Sequence, residues 1–506
     1  MTFESRRDFL KHAALGGLGL AGSNLLNLSL CGEASAQNAS DFRALVCVIL
    51  AGGNDSYNTV LSTDPASWDA YTQTRNQAPE SIALPPPGTP ANSALAASNI
   101  ARLGGVLPIV PVNAVSGKTL ALHPALKGLK TRFDQQRLAV VANVGSLVEP
   151  ITKSQFEGQT QRVPTQLFSH NDQRSWWLSM ATEGALDGWG GRLTADYRNR
   201  QPNPWLSSVA IDGNNVFPAT AIYPAYQAGT LDVPNLRQDA FGCRGLGEAI
   251  VNVASNTNTA NLFARDLAAV NQRADTASQL LLSSLPQPNS MPYGTATNSG
   301  AYSQANDPHL KFVNPFSLRS EFNPLAAQLQ MAARLIKTAR SLGLTRQVLT
   351  VTLGGFDTHD HQVERQAVLL AQLDDALCYF DDVMMGLGLE NQVTTFTVSE
   401  FGRTFNSNGD GTDHGWGSHQ FVLGGAVAGK KLYGDMPVLC SRTASAGRFQ
   451  NSGDILSNSG AMIPTLAIDQ YAATLGRWFG ASSSVLQLAF PYLGNFAVKD
   501  LGFMRV

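Results

Sequence analysis

Ala44-Leu45-Val46-Cys47-Val48-Ile49-Leu50, running on into Ala51-Gly52-Gly53-Asn54-Asp55, is the stretch on which the fold turns. Its apolar, β-prone residues have no polar interruption, the pattern of a strand buried on both faces. The glycines end it in a turn, with Asn54 and Asp55 beyond its carboxyl end. A second buried strand reads from Leu138 to Val144 and stops at Gly145. Between them Leu122, Leu126, Leu129 and Phe133 fall at helical spacing, predicting a helix from His123 to Phe133. Strand, loop, helix, strand is the beginning of a parallel sheet.

The alternation resumes after Pro324. Leu325, Leu329, Ala332, Leu335, Ile336, Ala339 and Leu342 predict a helix ended by Gly343, followed by a strand over Val348–Leu353 that stops at Gly354-Gly355. Leu369, Leu373, Ala376, Leu377, Phe380, Val383, Met384 and Leu387 mark the next helix, and Val393–Val398 the next strand, ending in Ser399-Glu400-Phe401-Gly402. The fold class is therefore α/β: a doubly wound, mostly parallel sheet with helices on both faces. Residues 200–310, rich in Asn, Pro, Ser and Gly, read as an inserted irregular cap region. It is interrupted by a helix from about Asn261 to Leu285 and closed by a long exposed loop over 286–310.

The amino terminus reads as an address. Ser5-Arg6-Arg7-Asp8-Phe9-Leu10-Lys11 is a twin-arginine export signal, with an apolar stretch from Ala13 to Leu30 and an A-x-A cleavage site at Ala34-Ser35-Ala36. Leu30 before Cys31 is too bulky for a lipoprotein site, so cleavage is expected after Ala36. Residues 37–506 then form a single domain, periplasmic or secreted, with no membrane anchor, and the twin-arginine translocase is the partner during export. After Leu30 no apolar run approaches the ~20 residues of a membrane helix. A charged fraction of 15% and a hydrophobic fraction of 43% argue for a globular chain. A net charge of −2 without a basic tract argues against nucleic acid. Cys47 and Cys378 lie in apolar segments and read as buried thiols, and a Cys243–Cys440 bridge is left open.

In open α/β sheets the ligand site lies beyond the carboxyl ends of the strands. Three such ends carry polar clusters: Asn54-Asp55, Asp357-Thr358-His359-Asp360-His361, and Glu400. A fourth, Asp413-His414-Gly415-Trp416-Gly417-Ser418-His419, follows a glycine-rich loop. Carboxylates and imidazoles in this number suit a divalent metal, zinc or manganese. A helix starting just after Gly355 would set Asp357 and His361 on one side to share an ion, with His359 facing elsewhere. Asp, Thr and His are also ordinary loop and helix-cap residues. The G-x-G-x-x-G at Gly17–Gly22 lies in the export signal, and the near P-loop ending at Lys430 has Lys431 where Ser or Thr must hold magnesium.

With those residues in view, the chain resembles the domain-of-unknown-function 1501 family of twin-arginine-exported bacterial proteins. The stretches that carry the resemblance run from end to end: the signal, Leu50–Asp55, Leu122–Leu126, Ser169-His170 with Trp176, Leu353–His359, Ser399–Thr404 and Gly411–Gly417. More distantly it is similar to the alkaline phosphatase-like superfamily of sulfatases, phosphatases and phosphomutases. That resemblance implies an exported metal-dependent hydrolase of phosphate or sulfate esters. It implies metal ligands at Asp55, Asp357, His361, Glu400 and His414, and a nucleophile position at Ser169, which also fits an N-cap serine. Phe401 stands where the superfamily has a second-ligand histidine, so one of two metal sites is weakened or lost. Arg403 is placed to supply charge to an anionic group or to pair with a carboxylate. The alternative on the same fold is a non-catalytic exported protein that binds an anionic small molecule or glycan, or assists assembly.

Overall fold

Strand β1 (Arg43–Ala51) is buried along its length because it lies in the middle of the sheet with side chains feeding two cores. Ala44, Val46, Val48 and Leu50 join one hydrophobic cluster, and Leu45, Cys47 and Ile49 join another on the opposite face. Strict alternation with no polar face is what a sheet covered on both sides requires. The computed structural model describes residues 41–505 except 97–98, 116, 199, 212, 222–223, 234, 240–241, 297–299 and 444–445. Arg6, Arg7 and Ala36 of the export signal therefore lie outside the described residues.

The remaining strands of the central sheet are β2 (Leu138–Gly145), β3 (Ser208–Ala210), β4 (Tyr226–Gln227), β5 (Arg346–Gly354), β6 (Val393–Ser399), β7 (Ser418–Leu423), β8 (Leu432–Tyr433) and β9 (Leu466–Ala467). Their order is β8-β2-β7-β6-β1-β5-β3-β4, with β9 also on β2. All neighbours are parallel except β7, which runs antiparallel to both β6 and β2. The fold is thus α/β with a mixed, mostly parallel sheet. β1 and β2 share the sheet as expected, but β6 and β7 stand between them.

The helices that matter for the site are α1 (Pro65–Arg75), α2 (Lys127–Asp134), α3 (His170–Ser179), α4 (Trp189–Arg198), α5 (Leu262–Ser284), α6 (Pro324–Ser341), α7 (Gln362–Gly386) and α8 (Ile468–Phe479). α6 starts where Pro324 takes the first helical position and Asn323 accepts hydrogen bonds from the Leu325 and Ala326 amides. Leu325, Leu329 and Ile336 of α6, with Leu370, Leu373 and Leu377 of α7, cover one face of the sheet. Ile468, Tyr471 and Leu475 of α8, with Trp189 and Leu193 of α4, cover the other.

Two expectations change in the middle of the chain. The segment 200–310 feeds β3 and β4 into the sheet beside β5, besides carrying α5. The described part of 286–310 is exposed at many positions, as expected, but it is anchored to the fold at Pro288, Tyr293, Gln304, Asp307 and Leu310, which are buried. The buried Gln330 side chain of α6 donates to the Pro288 and Tyr293 carbonyls and to the Tyr302 hydroxyl, and it accepts from Gln304. Asp307, also buried, accepts from Thr295, Tyr302 and His309. Polar composition looked like solvent exposure, but these groups satisfy one another. Among the described residues no helix is long and apolar enough to cross a membrane.

Asp469, in the first turn of α8, is buried with its carboxylate accepting the Tyr492 amide. Burial pushes its acid equilibrium up to about 7, against the opposing pull of that hydrogen bond and of Arg192. A folded-state value above the unfolded one stabilises at acid pH, and that contribution disappears as pH rises towards and through 7. Keeping the group ionised inside the fold at pH 8 costs on the order of 4 kcal/mol. Asp469→Asn is expected to melt a few degrees above wild type at pH 8 and level with it at pH 4, read by circular dichroism. Equal melting temperatures at both pH values would discard this assignment.

Candidate metal centre

The registers of the central strands decide which side chains meet. Leu50 pairs with Leu353 of β5 and with Ser399 of β6, so three parallel strands end level. The turns beyond them deliver Asp55, Asp357 and Glu400 to one edge. β7 runs the other way, and Ser418 at its start pairs with Val144 near the end of β2. The loop before β7 therefore lies at the same edge. It runs against the loop after β6: the Gly402 amide donates to Trp416, Gly415 to Gly402 and Thr404 to Asp413, with Arg403 opposite His414.

The two glycines after β1 are required by this crowding. A Cβ on Gly52 would stand 2.4 Å from the Asp357 amide nitrogen, and one on Gly53 2.3 Å from the Phe401 ring. Both also have positive φ, +108° and +85°.

Asp357 is the hub. Its Oδ1 lies 2.7 Å from Arg403 Nη1, 3.1 Å from His359 Nε2 and 3.2 Å from His414 Nε2; its Oδ2 lies 3.5 Å from His170 Nε2. Each imidazole is held from behind. His170 Nδ1 donates to Glu400 Oε2 at 2.7 Å, His414 Nδ1 donates to the Phe168 carbonyl at 2.7 Å, and His359 Nδ1 stands 3.3 Å from Asp413 Oδ1. A histidine whose Nδ1–H is bound by a carboxylate or carbonyl presents its Nε2 lone pair outward, the arrangement that orients metal-ligating histidines. Ligand atoms of His170, Asp357 and His414 all lie within 4.8 Å of one another. Oxygen and imidazole nitrogen in this number fit zinc or manganese.

The electrostatics agree with that geometry. Partial burial pushes the Asp357 carboxyl up, but the hydrogen bond and charge of Arg403, with His359 and His170 nearby, outweigh it and hold the group below the ordinary carboxylate range. Burial holds His414 below the ordinary imidazole range; Arg403 and His170 act in the same direction, against the Phe168 hydrogen bond. A charged carboxylate beside a neutral imidazole is the ligand state a divalent ion needs. His123 and His419 are a contrast. Both are fully buried and pushed down to about 3, each accepting a backbone N–H at Nδ1, and neither reaches this edge cluster.

The expected ligands separate into three groups. Asp357 and His414 are in the cluster. Glu400 stands one step behind, its Oε2 on His170 Nδ1 rather than on Asp357. Asp55 and His361 are elsewhere. Asp55 is fully buried against Arg75, with Gln362 donating to the same carboxylate at 2.6 Å. His361 is exposed, 3.8 Å from Asp410. The helix after Gly355 does not start there: α7 begins only at Gln362, and His361 precedes it with φ of +48°. Asp357 and His361 therefore lie in a loop and share no helix face, and His359 takes the inward position. Ser169 is the N-cap position of α3, its hydroxyl donating to Asp172 at 3.0 Å. Arg403 pairs with Asp357 and donates to Thr412. Phe401 is fully buried, its ring centroid 4.4 Å from that of His414 and 4.9 Å from that of His170. Its ring forms an apolar wall of the cluster.

His170 is the cluster residue that the sequence reading left unassigned in favour of its neighbour Ser169. The available signal was the first-turn position of a histidine on a helix opening towards the sheet edge. Without the register, nothing in the sequence linked it to Glu400, 230 positions away.

The chain belongs to the family described as protein of unknown function (DUF1501), whose match spans residues 43–487. No curated protein matches it.

Proposed function

We propose that this DUF1501 member is an exported, metal-dependent hydrolase-like protein acting on phosphate or sulfate esters, on a doubly wound alkaline phosphatase-like fold. The observation that carries this reading is the set of three imidazoles, each backed at Nδ1 by an acceptor and turned at Nε2 towards Asp357. His170, Asp357 and His414 are the proposed ligands, His359 a further donor. Glu400 and the Phe168 carbonyl fix the imidazoles. A bound zinc or manganese ion would supply Lewis-acid polarisation of the ester oxygen. Arg403 keeps Asp357 ionised and turned towards the cluster. Ser169, next to His170, keeps the nucleophile role in this reading, with Asp172 accepting its hydroxyl hydrogen bond.

The Arg75–Asp55 pair and Phe401 favour a site for one ion rather than two. They also support a second reading, a non-catalytic protein that binds anions on the same fold. One preparation tests both: protein recovered from the periplasm of an expressing bacterium, analysed for metals and screened with chromogenic phosphate and sulfate esters. About one equivalent of zinc or manganese with ester turnover is expected. Metal without turnover would leave the binding reading. Absence of metal would sink the centre, and recovery only from the cytoplasm would sink the export assignment.

A further inference from the structure

A groove of about 880 Å³ opens beside the cluster, and Phe168 belongs to both. Its carbonyl takes the His414 Nδ1 hydrogen bond, while the residue lines the groove wall. The floor is tied to the same place: the Phe156 ring packs 5.1 Å from that of Trp416, two residues after His414.

The lining has an unusual chemistry. Gln159, Gln161, Gln166, Gln450 and Asn458 bring five side-chain amides to one groove, and none of these amides is held by a described residue. Arg448 adds an exposed guanidinium with no carboxylate partner among the described residues, while the acid of the lining, Glu157, is engaged by the Ser457 amide and hydroxyl. The wall segment is held in a demanding backbone. Gln159, Gln166 and Phe168 have φ of 53°, 55° and 72°, a region that side chains of this size seldom adopt. Such strain clusters at ligand sites.

An amide carries a donor and an acceptor side by side, as a sugar hydroxyl does. Aromatic rings offer flat apolar faces to the C–H face of a sugar. A guanidinium fork matches a sulfate, phosphate or carboxylate group. A peptide added as a strand would need an open sheet edge, whereas this wall is loop, its amides interleaved with Phe156, Val163, Leu167 and Phe168.

We propose that the groove is a subsite for an anionic glycan, which it presents to the His170–Asp357–His414 cluster as a sugar-borne ester. The substrate role rests on the hydrolase reading above; the glycan binding itself does not. The test uses the mature full-length protein and isothermal titration with a heparin-derived sulfated hexasaccharide, its desulfated counterpart and a tetraglutamate peptide, with metal content measured on the same samples. Tighter binding of the sulfated hexasaccharide than of the other two is expected. Arg448→Ala should weaken it about tenfold and Q166A/Q450A by a similar factor, with unchanged melting temperatures. Equal binding of the peptide, no binding, or binding unaffected in both variants would overturn the groove. Metal retained without glycan binding removes the subsite and leaves the metal centre. Glycan binding that falls in Arg448→Ala, in a protein holding no metal, confirms the subsite and removes the centre.

Discussion

Arg75→Met is expected to destabilise the protein by about 3–5 kcal/mol, the range for removing one partner of a buried ion pair. Arg75 is the last residue of α1 and has no solvent exposure, nor has the Asp55 side chain it faces. Its guanidinium meets Asp55 at 2.5 and 3.1 Å, the Asn58 side chain at 3.0 Å, and the carbonyls of Phe405 and Thr404 at 3.1 and 2.9 Å. The rings of Tyr57, Tyr71 and Phe405 surround it at 5.2–5.9 Å from their centroids. Methionine fills much of the volume but leaves a carboxylate without its cation in an enclosure that excludes water. Pairing the change with Asp55→Asn should recover a substantial part of the loss, because the stranded charge is gone. Chemical denaturation of the two variants measures this. A single-variant loss under about 1 kcal/mol would show that Asp55 does not depend on Arg75.

The second large effect is at the hub. Asp357→Asn should lower metal affinity by more than 100-fold, because it removes the anionic ligand that three imidazoles face. Glu400→Gln should cost about 10–100-fold, the effect typical of a residue that orients a ligand. The amide oxygen can still accept from Arg403, so the fold should survive the Asp357 change; melting curves check this. Affinities come from competition with a chelator of known strength. An Asp357→Asn protein that binds metal as tightly as wild type would remove Asp357 from the centre and with it the hydrolase reading.

The sites of strands and helices were readable because their signals are local. β1, β2, β5 and β6 and helices α5 and α6 lie where apolar runs and 3.6-residue spacing put them, within a few residues at each end, and α7 ends where its apolar positions stop. The boundary that mattered most failed for a local reason too. His361 takes a left-handed conformation, so α7 starts at Gln362, six residues later than a helix opening just after Gly355. His359, not His361, then points inward. Asp55 illustrates a different limit. It stands at the strand end where an acid was expected, but Arg75 arrives from 20 residues away and takes its charge.

Buried strands alternating with helices, polar residues gathered beyond several strand ends, and histidine and aspartate concentrated there are all written in the chain itself. Those properties follow from side-chain periodicity and from glycine turns, which act over a few residues. Which groups face each other is set by the folded arrangement. The level ends of β1, β5 and β6 and the reversed run of β7 carry His414 to Asp357, and the approach of α3 carries His170 to Glu400 across 230 positions. A hydrogen bond at 2.7 Å depends on sheet register and loop path together, and no short-range pattern encodes either.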